Sequence, residues 1–251
     1  MPRSARKISQ SGYYHIVLRG NGKQLLFESD AARLTFLELL QENCQEKSIA
    51  IIAWCLMDNH VHLLLCDISG NLSGALQSIE TSYAQYFNLT TGHVGHVFEG
   101  RFKSMPVEDD VYLLDAVRYI HNNPVRAGIA PVDRYWWSSY HEYVGKASLI
   151  DPKPVLEEFG DIEGFVAFHQ SDEKSYYTFA PGRRIPDEMA GDIAQCITDR
   201  CFSCALDEVK GLPRSVRNEC LQVLRERRLT VRQIQRLTGI GEKTIQRATS
   251  A

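Results

Sequence analysis

The chain has 251 residues, 44% of them hydrophobic, and no apolar run near the ~20 residues of a membrane span, so a soluble protein of one large or two small domains is expected. Arg3, Arg6 and Lys7 are not followed by the apolar stretch of a secretory signal, and seven scattered cysteines without framework spacing favour free thiols in a reducing compartment, the cytoplasm. The net charge of −3 divides unevenly: residues 1–150 carry −2 (13 basic, 15 acidic), 151–210 carry −7 (6 and 13) and 211–251 carry +6 (9 and 3), so the C-terminus offers either a solvated helical surface or a nucleic-acid contact that would keep the protein at the nucleoid.

In chain order, residues 13–18 alternate and are rich in β-formers, and Gly20-Asn21-Gly22 breaks the run. Asp30 is placed to cap a helix reaching about residue 47, with Leu34, Leu37 and Leu40 on its buried face and Phe36 beside them. Residues 49–57 read as a second strand, Asp58-Asn59 as a turn, and 60–66 as a third strand in a hairpin with the second. A helix starting at Asn71 or Ser73 carries Leu76, Ile79, Tyr83 and Tyr86 at helical spacing. A glycine-punctuated loop, 92–100, and a short strand, 102–107, come next. Asp109 or Asp110 caps a helix that stops at Pro124. This order predicts an α+β domain over residues 1–150: a ferredoxin-like antiparallel sheet with helices on one face and one helix added. Tyr135-Trp136-Trp137-Ser138-Ser139-Tyr140 closes it as an aromatic core anchor, both tryptophans included. Residues 151–186 read as an acidic connecting segment containing Pro152, Pro154, Pro181 and Pro186, with some helix around 155–168, and residues 187–251 as an all-α region.

His60 and His62 stand one residue apart at the head of an apolar strand, so both point the same way. Three readings are open. They are half-buried histidines bonded to backbone, or zinc ligands near Cys55 and Cys66, or, with an amide or carboxylate oxygen, part of a Mg²⁺ or Mn²⁺ site that would polarise a phosphate. Cys66 lies four to six residues beyond the pair, too far for one tetrahedral site. On the helix before Pro124, Leu113, Val117 and Ile120 form the apolar stripe, and Tyr112, Asp115, Tyr119 and Asn123 lie on a more polar face. Asn123 either reaches the metal or caps the helix end. A metal-binding pair with a helical tyrosine is equipment for cutting a nucleic-acid strand.

Four stretches occur in order: His60-Val61-His62, Arg101-Phe102-Lys103-Ser104, Tyr119-Ile120-His121-Asn122-Asn123-Pro124-Val125-Arg126-Ala127-Gly128 and Trp137-Ser138-Ser139-Tyr140. This set resembles the REP-associated tyrosine transposases, single-tyrosine members of the HUH endonucleases, over roughly residues 8–145. The resemblance implies His60 and His62 as metal ligands, Asn123 in the place of the third, helical ligand, and Tyr119 as nucleophile. It implies a Mg²⁺ or Mn²⁺ cofactor and, as substrate, single-stranded hairpin DNA beside a short guide sequence. Cleavage would proceed through a 5′-phosphotyrosine link that a 3′-hydroxyl can reverse, so strand transfer needs no nucleotide cofactor. Relatives act as monomers or homodimers. Arg101, Lys103, Arg118 and Arg126 are candidates for phosphate contact. His121 and Asp115 are candidate bases by position alone. Two rivals are a cleavage-silent DNA-binding regulator on the same fold, against which the intact His60, His62 and Tyr119 argue, and a replication-initiator or relaxase enzyme, against which the single candidate tyrosine and the missing P-loop argue.

Residues 229–248 look like a helix-turn-helix that would contact duplex DNA. Thr230 caps its first helix, Gly239 makes the turn, and Ile234, Leu237, Ile240 and Ile245 fill the core. The second helix would present Lys243, Thr244, Gln246 and Arg247, while Gln235 takes a place where such motifs carry a small residue. The alternative is a hairpin that only packs. Cys201-Phe202-Ser203-Cys204 matches no metal spacing and reads as part of a small helical core.

Overall fold

The computed structural model describes residues 8–171, 177, 185, 187–227 and 229–249, in two compact units, Met1–Ser175 and Tyr176–Ala251. Arg3, Arg6, Lys7, Pro181 and Pro186 lie outside the described residues, as does the side chain of Cys196.

In the first unit β1 (Tyr13–Arg19), α1 (Asp30–Glu46), β2 (Ala50–Met57), β3 (His60–Cys66), α2 (Leu72–Thr91), β4 (Lys103–Val107) and α3 (Asp110–His121) follow in the expected order. The strands make one antiparallel sheet in the order β2-β3-β1-β4, as a ferredoxin-like connection requires. Asp58-Asn59 closes the hairpin that pairs Met57 with His60. Register decides what the site contains. Arg19 stands opposite His60 and Val17 opposite His62 on one side; Met57 and Cys55 are their partners on the other. A slip of one residue would turn both histidines to the opposite face. The outer edge of β2 is sealed by the chain after α3: Leu56 N–H donates to the Trp137 carbonyl (2.8 Å) and Ser139 N–H to that of Trp54 (2.9 Å).

Helix starts are set by side-chain oxygens that accept otherwise unpartnered backbone N–H groups, worth about 1 kcal/mol each. Ser29, not Asp30, caps α1, through Ala32 N–H (3.3 Å); Asp30 sits in the first turn and pairs with Arg33 (3.5 Å). Asp109 caps α3 through Tyr112 N–H (2.8 Å). The buried face of α1 is Ala32, Phe36, Leu40 and Cys44, a strict four-residue spacing, and Leu34 is 53% exposed. Of the expected face, Leu40 and the adjacent Phe36 are fully buried, Leu37 is partly buried and Leu34 is not. Both sheet faces are covered, so the helices divide between them. Ile16, Leu18, Leu63 and Leu65 are buried on the face away from the histidines, α1 pairs with α2 and packs on β2, and α3 packs on β2, β3 and β4 on the histidine side.

Pro124 cannot continue α3, which ends at His121, and a short helix α4 (Asn123–Arg126) restarts the chain. After α5 (Tyr140–Val144) come α6 (Lys153–Phe159) and α7 (Ile162–Gln170), inside the segment expected to connect two domains. They belong to the first unit: Phe165 is fully buried and stacks on Tyr143, with ring centres 4.6 Å apart. Pro154 lies in the first turn of α6, where a missing N–H costs nothing, so proline marked a helix start there and not a linker.

The second unit holds α8 (Asp187–Phe202), α9 (Arg214–Glu226), α10 (Val231–Thr238) and α11 (Glu242–Ala248). Leu221, Leu224, Ile234 and Ile245 are fully buried at its core with Cys204 and Cys220, while Leu237 is partly buried against it. Thr230 and Gln233 form a reciprocal capping box on α10, and Gly239 ends it at φ +67°, a conformation glycine adopts without a Cβ clash. Gln235 is exposed, so its bulk does not obstruct the helix crossing. Among the described residues no helix is long and apolar enough to cross a membrane.

Candidate active site

The site grows from the β1–β3 ladder. His60 and His62 occupy alternate positions of β3, on one face, with ring centres 5.0 Å apart. His62 is 5% exposed and His60 half-buried. Nδ1 of His60 shares a hydrogen bond with Oδ1 of Asn59 (2.7 Å), and Nδ1 of His62 shares one with Nε2 of His15 (2.8 Å). Nε2 is therefore the atom through which either ring would bind a cation. Burial, then Arg19, pushes His60 down to about 4 against the opposing pull of Asp58. Burial, then the neighbouring His15 and His60, holds His62 well below its ordinary value. Both are neutral near pH 7, the form that ligates metal.

The two rings, on one face with centres 5.0 Å apart and each bonded through Nδ1, could hold one ion between them. Among the described residues no three His, Cys, Asp or Glu side chains are gathered for a metal, so a third protein ligand would be of another type. An amide qualifies, and two imidazoles with oxygen ligands suit Mg²⁺ or Mn²⁺. Cys55, directly opposite His62 on β2, is fully buried, with its thiol 3.8 Å from Met57 Sδ.

Tyr119 comes from α3. Its ring centre is 5.8 Å from that of His62 and 5.7 Å from that of His15. The Arg126 guanidinium, one helix further, lies 4.5 Å from the centre of the Tyr119 ring and gives it a side-chain hydrogen bond. Burial raises the phenol's pKa, and Arg126 opposes that rise by charge and hydrogen bond. Nδ2 of Asn123 donates to the Tyr119 carbonyl (2.8 Å), which ties the Asn123 amide to the turn that carries the tyrosine.

The other expected residues fall into three groups. Lys103 shares the histidine face: it pairs with Val17, which pairs with His62, so it lies two strands, roughly 10 Å, across the sheet, and it is exposed. Arg101 is exposed and lines a cleft of about 680 Å³ between α2 and residues 95–101. Lys243, Thr244, Gln246 and Arg247 are all exposed on α11, whose Ile245 and Ala248 face inward.

Arg118 is corrected. It is 2% exposed, pairs with Asp115 (3.1 Å), donates to the Phe168 carbonyl (3.3 Å) and Ser171 Oγ (3.1 Å), and lies 4.1 Å from the Phe168 ring centre. Beyond Asp115 on its own helix, its partners come from α7 and the residue after it, so it locks that helix down and is out of reach of a phosphate. Asp115 and His121 are corrected with it as candidate bases. Asp115 is buried in the same pair. His121 is fully buried, with Nδ1 bonded to His169 Nε2 (2.9 Å) and Nε2 to Ser139 Oγ (2.8 Å). Trp136 is 73% exposed and stacks on His141 at 4.4 Å, so it is not a core anchor.

Two residues of the site were missed. His15 is fully buried beside His62, and Arg19 stands across from His60. Their signal is a histidine and an arginine in an otherwise apolar alternating strand. It becomes legible only once β1 is paired with β3.

Residues 8–123 match the family described as "Transposase IS200 like". A Haemophilus influenzae protein named "Putative REP-associated tyrosine transposase" is 25% identical over 180 residues, which cover 64% of this chain and all of that relative. A solved structure of a REP-associated tyrosine transposase bound to a REP hairpin aligns with TM-score 0.53 at 17% identity, over 74% of this chain and 99% of that one, and has the same fold.

Proposed function

From the match of residues 8–123 to the family described as "Transposase IS200 like", we propose that the chain is a metal-dependent endonuclease and strand transferase for single-stranded hairpin DNA. Tyr119 is the nucleophile, and His60, His62 and Asn123 hold the cation. The observation that carries this reading is the 5.8 Å separation of the Tyr119 and His62 rings within one chain. The same separation supports a site completed by a single protomer. The hairpin specificity is taken over from the DNA-bound relative.

The residues divide the chemistry. Mg²⁺ or Mn²⁺, when bound, withdraws charge from the scissile phosphate and offsets negative charge in the transition state. A phenol is a weak nucleophile at neutral pH. Arg126, expected on DNA, instead lies against Tyr119, where its charge favours the phenolate. The Tyr119 oxygen forms the new bond to phosphorus as the bond to the 3′-oxygen breaks. The phenol's proton is lost and the departing 3′-oxygen gains one. One phosphodiester replaces another, so a 3′-hydroxyl can reverse the step, and strand transfer needs no outside energy. Lys103 and Arg19, exposed on the histidine face, are placed for the phosphates on either side. The exposed Lys243, Thr244, Gln246 and Arg247 of α11 support duplex contact by the second unit.

The test is a labelled hairpin oligonucleotide incubated with the protein and Mn²⁺ or Mg²⁺. A denaturant-resistant protein–DNA adduct should form, and should be lost in Tyr119→Phe and with chelator. Binding without any adduct would favour the regulator instead.

A further inference from the structure

His15 is fully buried in the middle of β1, and the chemistry above leaves it unused. It pairs with Leu64, which puts it diagonally across from His62 on the same sheet face. Its Nε2 lies 2.8 Å from His62 Nδ1, and its ring centre 5.7 Å from that of Tyr119. One side chain thus touches both the ring that would bind the cation and the ring that would attack.

We infer that His15 is a positioning residue that fixes the tautomer and ring orientation of His62 for a divalent cation and seats the Tyr119 ring beside it. This rests on the reading of His60 and His62 as metal ligands. Two ring nitrogens 2.8 Å apart share one hydrogen. With the hydrogen on His62 Nδ1, Nε2 of His62 keeps the lone pair a cation needs, and His15 accepts through Nε2. With the hydrogen on His15 Nε2, the proton of His62 moves to its own Nε2 and the ring cannot ligate there. With its own hydrogen on Nδ1, His15 accepts at this position and selects the ligating form, as hydrogen-bond partners behind metal-bound histidines do. Asn59 stands in the same relation to His60, through Oδ1 to Nδ1 at 2.7 Å. The two differ in origin: Asn59 is the neighbouring turn residue, whereas His15 reaches His62 only because β1 lies beside β3.

The test uses the full chain and Mn²⁺ alone, with free Mn²⁺ read by electron paramagnetic resonance. Wild-type protein should take up the ion and His62→Ala should not. His15→Phe keeps a ring against Tyr119 but removes the hydrogen bond, and should weaken uptake about 10- to 100-fold. His15→Gln, which restores a polar partner, should recover part of that loss. Uptake by His15→Phe equal to wild type, with His62→Ala inactive, would overturn the role of His15 and leave the metal site standing. Wild-type protein that takes up no Mn²⁺ would overturn both. A second measurement needs no variant: nitrogen NMR shifts of the ion-free protein should show His62 protonated at Nδ1, and protonation at Nε2 would overturn the inference.

Discussion

Two histidine clusters flank α3, and they use their ring nitrogens differently. On the sheet side, His15 and His62 share a 2.8 Å hydrogen bond beside Tyr119; on the α7 side, His121 and His169 share one at 2.9 Å. Burial lowers the pKa in both clusters, to about 3 for His15 and about 4 for His169. Depressed basicity therefore does not tell a working histidine from a structural one. Their surroundings differ. His121 commits its second nitrogen to Ser139, and His169 commits Nδ1 to the Phe165 carbonyl at 2.9 Å, so the cluster closes on itself and pins α7 to α3. In the other cluster, His60 and His62 are hydrogen-bonded through Nδ1 on one sheet face, beside Tyr119.

The contrast can be broken from either side. The largest effect should come from His60→Ala or His62→Ala, which should lower adduct formation by roughly 10²–10³-fold in a single-turnover assay. Urea unfolding should change far less than for Arg118→Ala or Asp115→Ala. Those variants leave one charge of a buried pair uncompensated and should cost about 3–5 kcal/mol in urea unfolding, with Mn²⁺ uptake by the folded protein unchanged. If Arg118→Ala removed DNA binding without loss of stability, the assignment of Arg118 to the closed side would be wrong.

Arg126→Gln sharpens the contrast next. The phenolate is the reactive form and prevails above the Tyr119 pKa, which burial raises and Arg126 lowers. Removing the guanidinium should move the alkaline limb of the pH–rate profile upward and slow adduct formation at pH 7, by about tenfold for every pH unit the limb moves. A profile that stays in place while oligonucleotide affinity falls would return Arg126 to phosphate contact. The smallest effect should be in the second unit, where Lys243→Ala and Arg247→Ala should each reduce the salt slope of duplex binding by about 1.

The closed cluster was illegible in sequence for a definite reason. Its α3 half, Asp115, Arg118 and His121, lies about 50 residues from its α7 half, in a stretch whose prolines and acids suggested a linker. A polar residue without a visible partner is read as exposed. The sheet was legible because its strands announce themselves locally, by alternation and by turn residues such as Asp58-Asn59; spacing within one strand or one helix gave the faces of His60, His62 and Tyr119, and their roles came from the family resemblance. His15 falls between these cases. It stands in a strand that was found, but its value depends on the β1–β3 register, which no local pattern states. Trp136 is exposed and its neighbour Trp137 partly buried, and composition alone cannot separate them.

The central claim is that the phenol of Tyr119 is what joins to DNA, and proteolysis of the trapped adduct followed by mass spectrometry reads it directly. The account predicts a nucleotide mass on the peptide carrying Tyr119, attached through a 5′-phosphate and formed only with divalent cation present. A nucleotide on any other residue, or an adduct that persists in Tyr119→Phe, would contradict it.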